Sequence, residues 1–253
     1  MGMFTFRALN ITKMLVEVCA NSVESAQNAQ NAGADRIELC TELGVGGVTP
    51  SYGLLKQIKQ RITLPVNVLV RPRSGDFTYS VAEFDAMLQD IDLCVELGFQ
   101  GVVSGVLHKD FTLDLARTRQ LIDRSNGLKF TFHRAFDWVK NPFETLQQLE
   151  TMGVDTILSS GQRNSALEGF ELLSELHDRS SQCILMPGGG IRPDNVKIFK
   201  DQGFQAIHLS AIQFKKTLPI PPLVSMFSST IPKDDEIGVS DAELIGKIVR
   251  NVK

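Results

Sequence analysis

A closed barrel of eight parallel strands ringed by helices, the (β/α)8 or TIM-barrel architecture, is the fold this 253-residue sequence predicts. Three observations predict it. Eight short, nearly continuous apolar runs recur at fairly even intervals, as strands buried on both faces require. The segments between them carry apolar residues three and four positions apart. The chain also has the length at which such a barrel closes as a single domain. An open doubly wound sheet would leave two unpaired edges, and its Gly-x-Gly-x-x-Gly fingerprint is absent; the stretch Gly44 to Gly47 does not have that spacing.

The strand candidates are LVEVC (15–19), RIELC (36–40), VNVLV (66–70), GVVSGV (101–106), KFTFH (129–133), TILSS (156–160), CILMP (183–187) and AIHLS (206–210). Between them, Val81, Phe84, Leu88, Ile91 and Val95 fall on one helical face, as do Leu167, Phe170, Leu173 and Leu176. Helix starts are marked by Ser80 with Glu83, Asn141 with Pro142 and Glu144, Ser165 with Glu168, and Ser240 with Glu243, the spacing that satisfies free amide hydrogens. Helix ends are marked by Gly33, Gly98, Gly153 and Gly203, each followed within a few residues by an even-numbered strand.

Residues 14–253 read as one barrel domain and residues 1–13 as an N-terminal extension. The longest irregular piece, Thr217 to Gly238, contains four prolines and joins the eighth strand to the last helix. A lid, a subunit contact or a plain surface loop all suit it. An apolar patch around Leu223 to Phe227 would make it an interaction surface.

With 26 Lys plus Arg against 29 Asp plus Glu, the surface is no field for a polyanion, so nucleic acid is not an expected partner. Four cysteines without a Cys-x-x-Cys pair exclude a disulfide scaffold and a zinc ribbon, and suit reduced thiols in a cytoplasmic protein. No apolar run has membrane-spanning length and no export signal is apparent, so the expected protein is soluble and has no membrane partner.

In a parallel barrel the reactive groups gather at the carboxyl ends of the strands. Glu17 and Cys19 share one face of the first strand, and Glu38 and Cys40 share one face of the second. If those faces point inward, two carboxylates lie one pleat below two thiols. Buried carboxylates demand cations or donors. Arg71 and Arg73 after the third strand, His133 and Arg134 after the fifth, and His208 in the eighth are the candidates. His133 is expected to carry a proton near neutral pH and His208 to contact a ligand or support one. Gly188, Gly189 and Gly190, before a helix expected to start at Arg192-Pro193, could cradle a phosphate or carboxylate. Cys94 and Cys183 read as packing residues, and His177 as exposed.

The segments LVEVCANS, AGADRIELCTELGVGGVTPS, RPR, FTFHRAFD, ILSSG and MPGGGI, in this order, resemble the CutC family of copper homeostasis proteins. That resemblance implies a cytoplasmic barrel, a homodimer or larger homo-oligomer, and Cu(I) binding with Cys19 and Cys40 as the thiol pair. The polar pocket it implies falls on Glu17, Glu38, Arg71, His133, Arg134, Asp137 and His208. Beside copper binding stands a second function, an enzyme acting on a small anionic or phosphorylated metabolite. There Glu17, Glu38, His133 and Asp137 would supply the chemistry, while Arg71, Arg73, Arg134, His208 and the three glycines would bind the substrate.

Overall fold

The computed structural model describes residues 13–220, 222–224 and 236–253. In chain order, β1 (Leu15–Ala20) leads to α1 (Val23–Asn31), β2 (Arg36–Leu39) to α2 (Tyr52–Arg61), β3 (Val66–Leu69) to α3 (Val81–Glu96), and β4 (Gly101–Ser104) to α4 (Leu115–Arg124). The second half repeats this with β5 (Lys129–Phe132), α5 (Pro142–Thr151), β6 (Thr156–Ser159), α6 (Phe170–Arg179), β7 (Ile184–Pro187), α7 (Val196–Asp201) and β8 (Ala206–Leu209). The hairpin β9 (Ile212–Lys216) and β10 (Glu236–Ser240) then precedes α8 (Ala242–Val252).

The eight barrel strands pair in the order β7-β6-β5-β4-β3-β2-β1-β8, and a parallel bridge between Gly188 and His208 joins the two ends. Glycine is required at that closure. A Cβ on Gly188 would fall 2.5 Å from the Leu158 side chain and 3.2 Å from the His208 Cβ.

Because side chains alternate across a strand, each strand feeds two cores. Val16, Val18 and Ala20 of β1 face outward into the main apolar layer with Ala26, Ala29, Ile245 and Ile248 of the surrounding helices. The alternate residues fill the barrel. There the apolar side chains form two separate clusters, Cys19, Cys40, Leu69 and Val103 on one side and Leu158, Met186 and Ala206 on the other. Glu17, Glu38 and Arg36 belong to the same inward-alternating rows.

The eight strands lie where the sequence places them, and Gly33, Gly98, Gly153 and Gly203 all take positive φ at the helix ends. The Ser80–Glu83 capping box forms at α3, and Asn141 caps α5. Three helix starts differ from expectation. Ser165 and Glu168 hydrogen-bond within a turn, and α6 begins only at Phe170, because the loop must first bring Gly169 against Gly161. Asp241 rather than Ser240 caps α8, since Ser240 is held in β10 with its amide on the Ser25 hydroxyl. Helix α7 starts at Val196, beyond Arg192-Pro193, after a turn in which the Asn195 side chain accepts from the Arg192 amide and donates to the Gly190 carbonyl.

The stretch expected to be irregular from Thr217 to Gly238 in fact ends in strand, with Glu236–Ser240 pairing antiparallel to Ile212–Lys216. Leu223 and Val224 are exposed, whereas residues 225–235, including Phe227 and Pro232, lie outside the described residues. The expected extension at 1–13 lies outside them too, apart from Lys13. Among the described residues no helix is long and apolar enough to cross a membrane.

Candidate functional site

The carboxyl ends of the strands open into a cleft of about 1140 Å³ lined by residues including Cys19, Glu38, Arg71, His133, Arg134, Gly189, Gly190 and His208. Its floor is built by β1, β2 and β8. Register places Glu17 beside both Arg36 and His208, and Cys19 beside Glu38, with Cys40 two residues further along. The carboxylates and thiols are therefore staggered rather than stacked in two level rows.

Glu17 is fully buried and clasped from both sides, by the Arg36 guanidinium and by His208 Nδ1 at 2.8 Å. Burial alone would raise its pKa, but the Arg36 charge and the His208 hydrogen bond outweigh it and hold the carboxyl below its ordinary range. His208 mirrors this. Burial opposes its charge, yet Glu38 and Glu17 together lift it above the usual imidazole value. The partner of Glu17 that sequence reasoning missed is Arg36. Its signal was available, since Arg36, Glu38 and Cys40 alternate on one strand face as Glu17 and Cys19 do.

Above this ion cluster, Cys19 Sγ lies 3.3 Å from Glu38 Oε1 and 3.3 Å from Cys40 Sγ. The hydrogen bond to Cys40 and burial push the Cys19 thiol well up, and burial pushes the Glu38 carboxyl up against the opposing pull of His208. Glu38 Oε2 is buried with no partner. Donor atoms of Cys19, Glu38 and His208 all lie within 4.8 Å of one another.

His133 sits on the opposite wall, where β5 runs into a 3-10 turn spanning Arg134–Trp138. Its Nδ1 accepts from the Ala135 amide, which puts the proton on Nε2, and Nε2 is buried without a partner. Burial, reinforced by the Arg71 charge, lowers its pKa to about 3. The expectation of a proton carrier near neutral pH is thus corrected: His133 is a fixed neutral N–H donor. Gly105 makes room for it, since a Cβ there would meet the ring at 2.7 Å.

Arg71 is buried, but its guanidinium donates to the carbonyls of Val45, Gly47 and Gly75 and stacks on Phe77. It ties the β2 and β3 loops together at the mouth, and no carboxylate among the described residues neutralises it. Arg73 is turned away from the cleft into ion pairs with Asp76 and Glu83. Asp137 is also spent on structure. Its carboxylate accepts from Arg134, from the Ser159 and Ser160 hydroxyls and from the Ser160 and Gln162 amides, locking the β5 and β6 loops together. Arg134 remains at the cleft, donating also to the Ser160 hydroxyl. Gly188 serves the closure, while Gly189 and Gly190 line the cleft with φ of 102° and 74°. The two other thiols pack as expected, with burial raising Cys94 to about 12 and Cys183 to about 11. His177 is half-buried against Phe204 rather than exposed, and His108 stands outside the cleft near Asp114.

Residues 14–213 match the model of the CutC family. The chain belongs to the CutC family. A CutC family protein of Enterobacter sp. (strain 638) is 48% identical over 197 residues, covering 78% of this chain and 80% of that protein. A CutC family protein of Salmonella heidelberg (strain SL476) is 42% identical over 247 residues, covering 94% and 98%. Among solved structures, a Streptococcus agalactiae CutC protein named for copper homeostasis superposes with a TM-score of 0.74 at 32% identity, covering 78% of this chain and 98% of that one. The CutC relationship and the closed barrel therefore agree.

Proposed function

We propose that this CutC chain serves copper homeostasis by holding Cu(I) at the floor of its barrel, through the sulfurs of Cys19 and Cys40. The observation that carries this is the contact of two buried thiols at 3.3 Å beside the donors of Glu38 and His208. Soft thiolates suit Cu(I), and imidazole is a compatible third donor. Cys40 lies two residues beyond the register partner of Cys19 on the neighbouring parallel strand, and both cysteines are free thiols.

Loading replaces two thiol protons by one cuprous ion, so the two sulfurs and the metal together carry one negative charge, beside the Arg36 guanidinium that already faces Glu17. The elevated Cys19 pKa makes protons strong competitors, so affinity should increase with pH. In anaerobic chelator competition we expect one equivalent of Cu(I) per chain and at least about a hundredfold loss in both Cys19→Ser and Cys40→Ser. Unchanged titration in the folded double variant would refute the thiol site.

A second reading, an enzyme for a small anionic metabolite, is favoured by the unpartnered His133 Nε2 and Glu38 Oε2 on one cleft and by the uncompensated charge of Arg71. A neutral imidazole N–H can polarise a carbonyl while a carboxyl of raised pKa moves a proton. The cytoplasmic location and the homo-oligomer implied by the family resemblance belong to this proposal as well.

A further inference from the structure

The cleft is much larger than an oxyanion needs, and one of its walls is aromatic. From the buried His133 ring, Phe77 follows at 4.8 Å between centroids, and Trp138 stands edge-on to Phe77 at 4.9 Å. Phe77 is buried, but Trp138 is 45% exposed and lines the cleft, as does Phe214 of the hairpin, 58% exposed. The chain's one tryptophan packs edge-on against Phe77 and, at 6.2 Å, Phe111, and still leaves part of its ring open to the cleft. Such rings give a binding surface large apolar area at little entropic cost. The same cleft is lined by Arg134 and by Arg192, which forms no ion pair among the described residues. Gly189 lines the same wall beside Arg134, at a φ of 102° that favours glycine and with a Cβ position 3.3 Å from the Ser160 side chain.

We infer that the cleft takes an anionic ligand bearing a flat aromatic ring, with the ring stacked on Trp138 and the anion facing Arg134 and Arg192. A nucleoside monophosphate has this chemistry. The inference rests on the anion-binding reading and names its ligand class. The occupant is a small molecule, because the apolar rings and the cations belong to one concave site.

The test compares adenosine 5′-monophosphate with ribose 5-phosphate, which carries the same anionic group without the ring, by calorimetry on the full chain. Wild type should bind the nucleotide about tenfold more tightly, the scale of one base stacked on an aromatic side chain. Nucleotide binding should also quench tryptophan fluorescence, which here reports Trp138 alone. Trp138→Phe should keep the preference, and Trp138→Leu should abolish it without changing the ribose 5-phosphate affinity. Equal binding of both compounds by wild type, or a preference that survives in Trp138→Leu, would overturn the aromatic site and leave the anion pocket standing. Binding of neither compound would overturn both.

Discussion

Replacing Arg36 with methionine is expected to lower folding stability by about 3 kcal/mol, measured by urea unfolding of variant and wild type under one buffer condition. The stem of the side chain is kept, so the loss comes from charge rather than volume. Glu17 lies wholly inside the barrel, and among the described residues two cations stand against it, Arg36 and His208. Removing one leaves the carboxylate half compensated where water cannot replace the partner. His208 remains, which is why the expected loss lies at the low end of that for a broken buried pair. Adding Glu17→Gln to Arg36→Met should restore part of the stability, because the stranded charge goes with it. A double variant no more stable than Arg36→Met would show that the ion cluster is not what the barrel floor depends on.

The second large effect is acid lability centred on His133. The folded protein keeps this imidazole neutral down to about 3, while the unfolded chain protonates it near its ordinary value of 6.5. Between those limits the unfolded state binds the extra proton, so stability falls by up to tenfold in the folding constant for each pH unit of acidification. Glu17 acts in the same sense at lower pH: its lowered pKa gives stability above the ordinary carboxylate range that is lost as pH falls through the folded value. His208 acts in the opposite sense, since its raised pKa gives stability that is lost as pH rises through the folded value. In His133→Gln, stability between pH 6.5 and 4 should therefore be markedly flatter than in wild type. Parallel pH profiles for the two proteins would show that His133 is not the buried group being protonated.

Much of the architecture was legible because parallel barrel strands must be apolar on both faces, which leaves runs such as VNVLV and TILSS standing out from their surroundings. The glycines that end helices were equally visible. The hairpin was not, because IQFKK and EIGVS pair across a long Pro-containing separation and β9 is largely exposed, so neither carries a buried-strand pattern. At the site, alternation identified Glu17, Cys19, Glu38 and Cys40, but sequence spacing does not say which cation meets which carboxylate. Of the two partners of Glu17, Arg36 sits at the start of its strand, where a charged residue reads as a surface boundary. Nor does sequence report solvation. His133 and Asp137 look like proton-transfer groups as letters, but burial silences the first and five hydrogen-bond donors occupy the second.

The joint between Gly188 and His208 bears on how this ring can breathe. Every other neighbouring pair of strands is stitched at two or more positions, whereas here a lone rung fastens the circle. The clasp carries on one of its two residues the imidazole that faces the thiols, and the loop following the other carries the glycines of the rim. The least-stitched seam of the ring thus borders the deepest donors, across from the more fully paired arc that runs from β3 to β5.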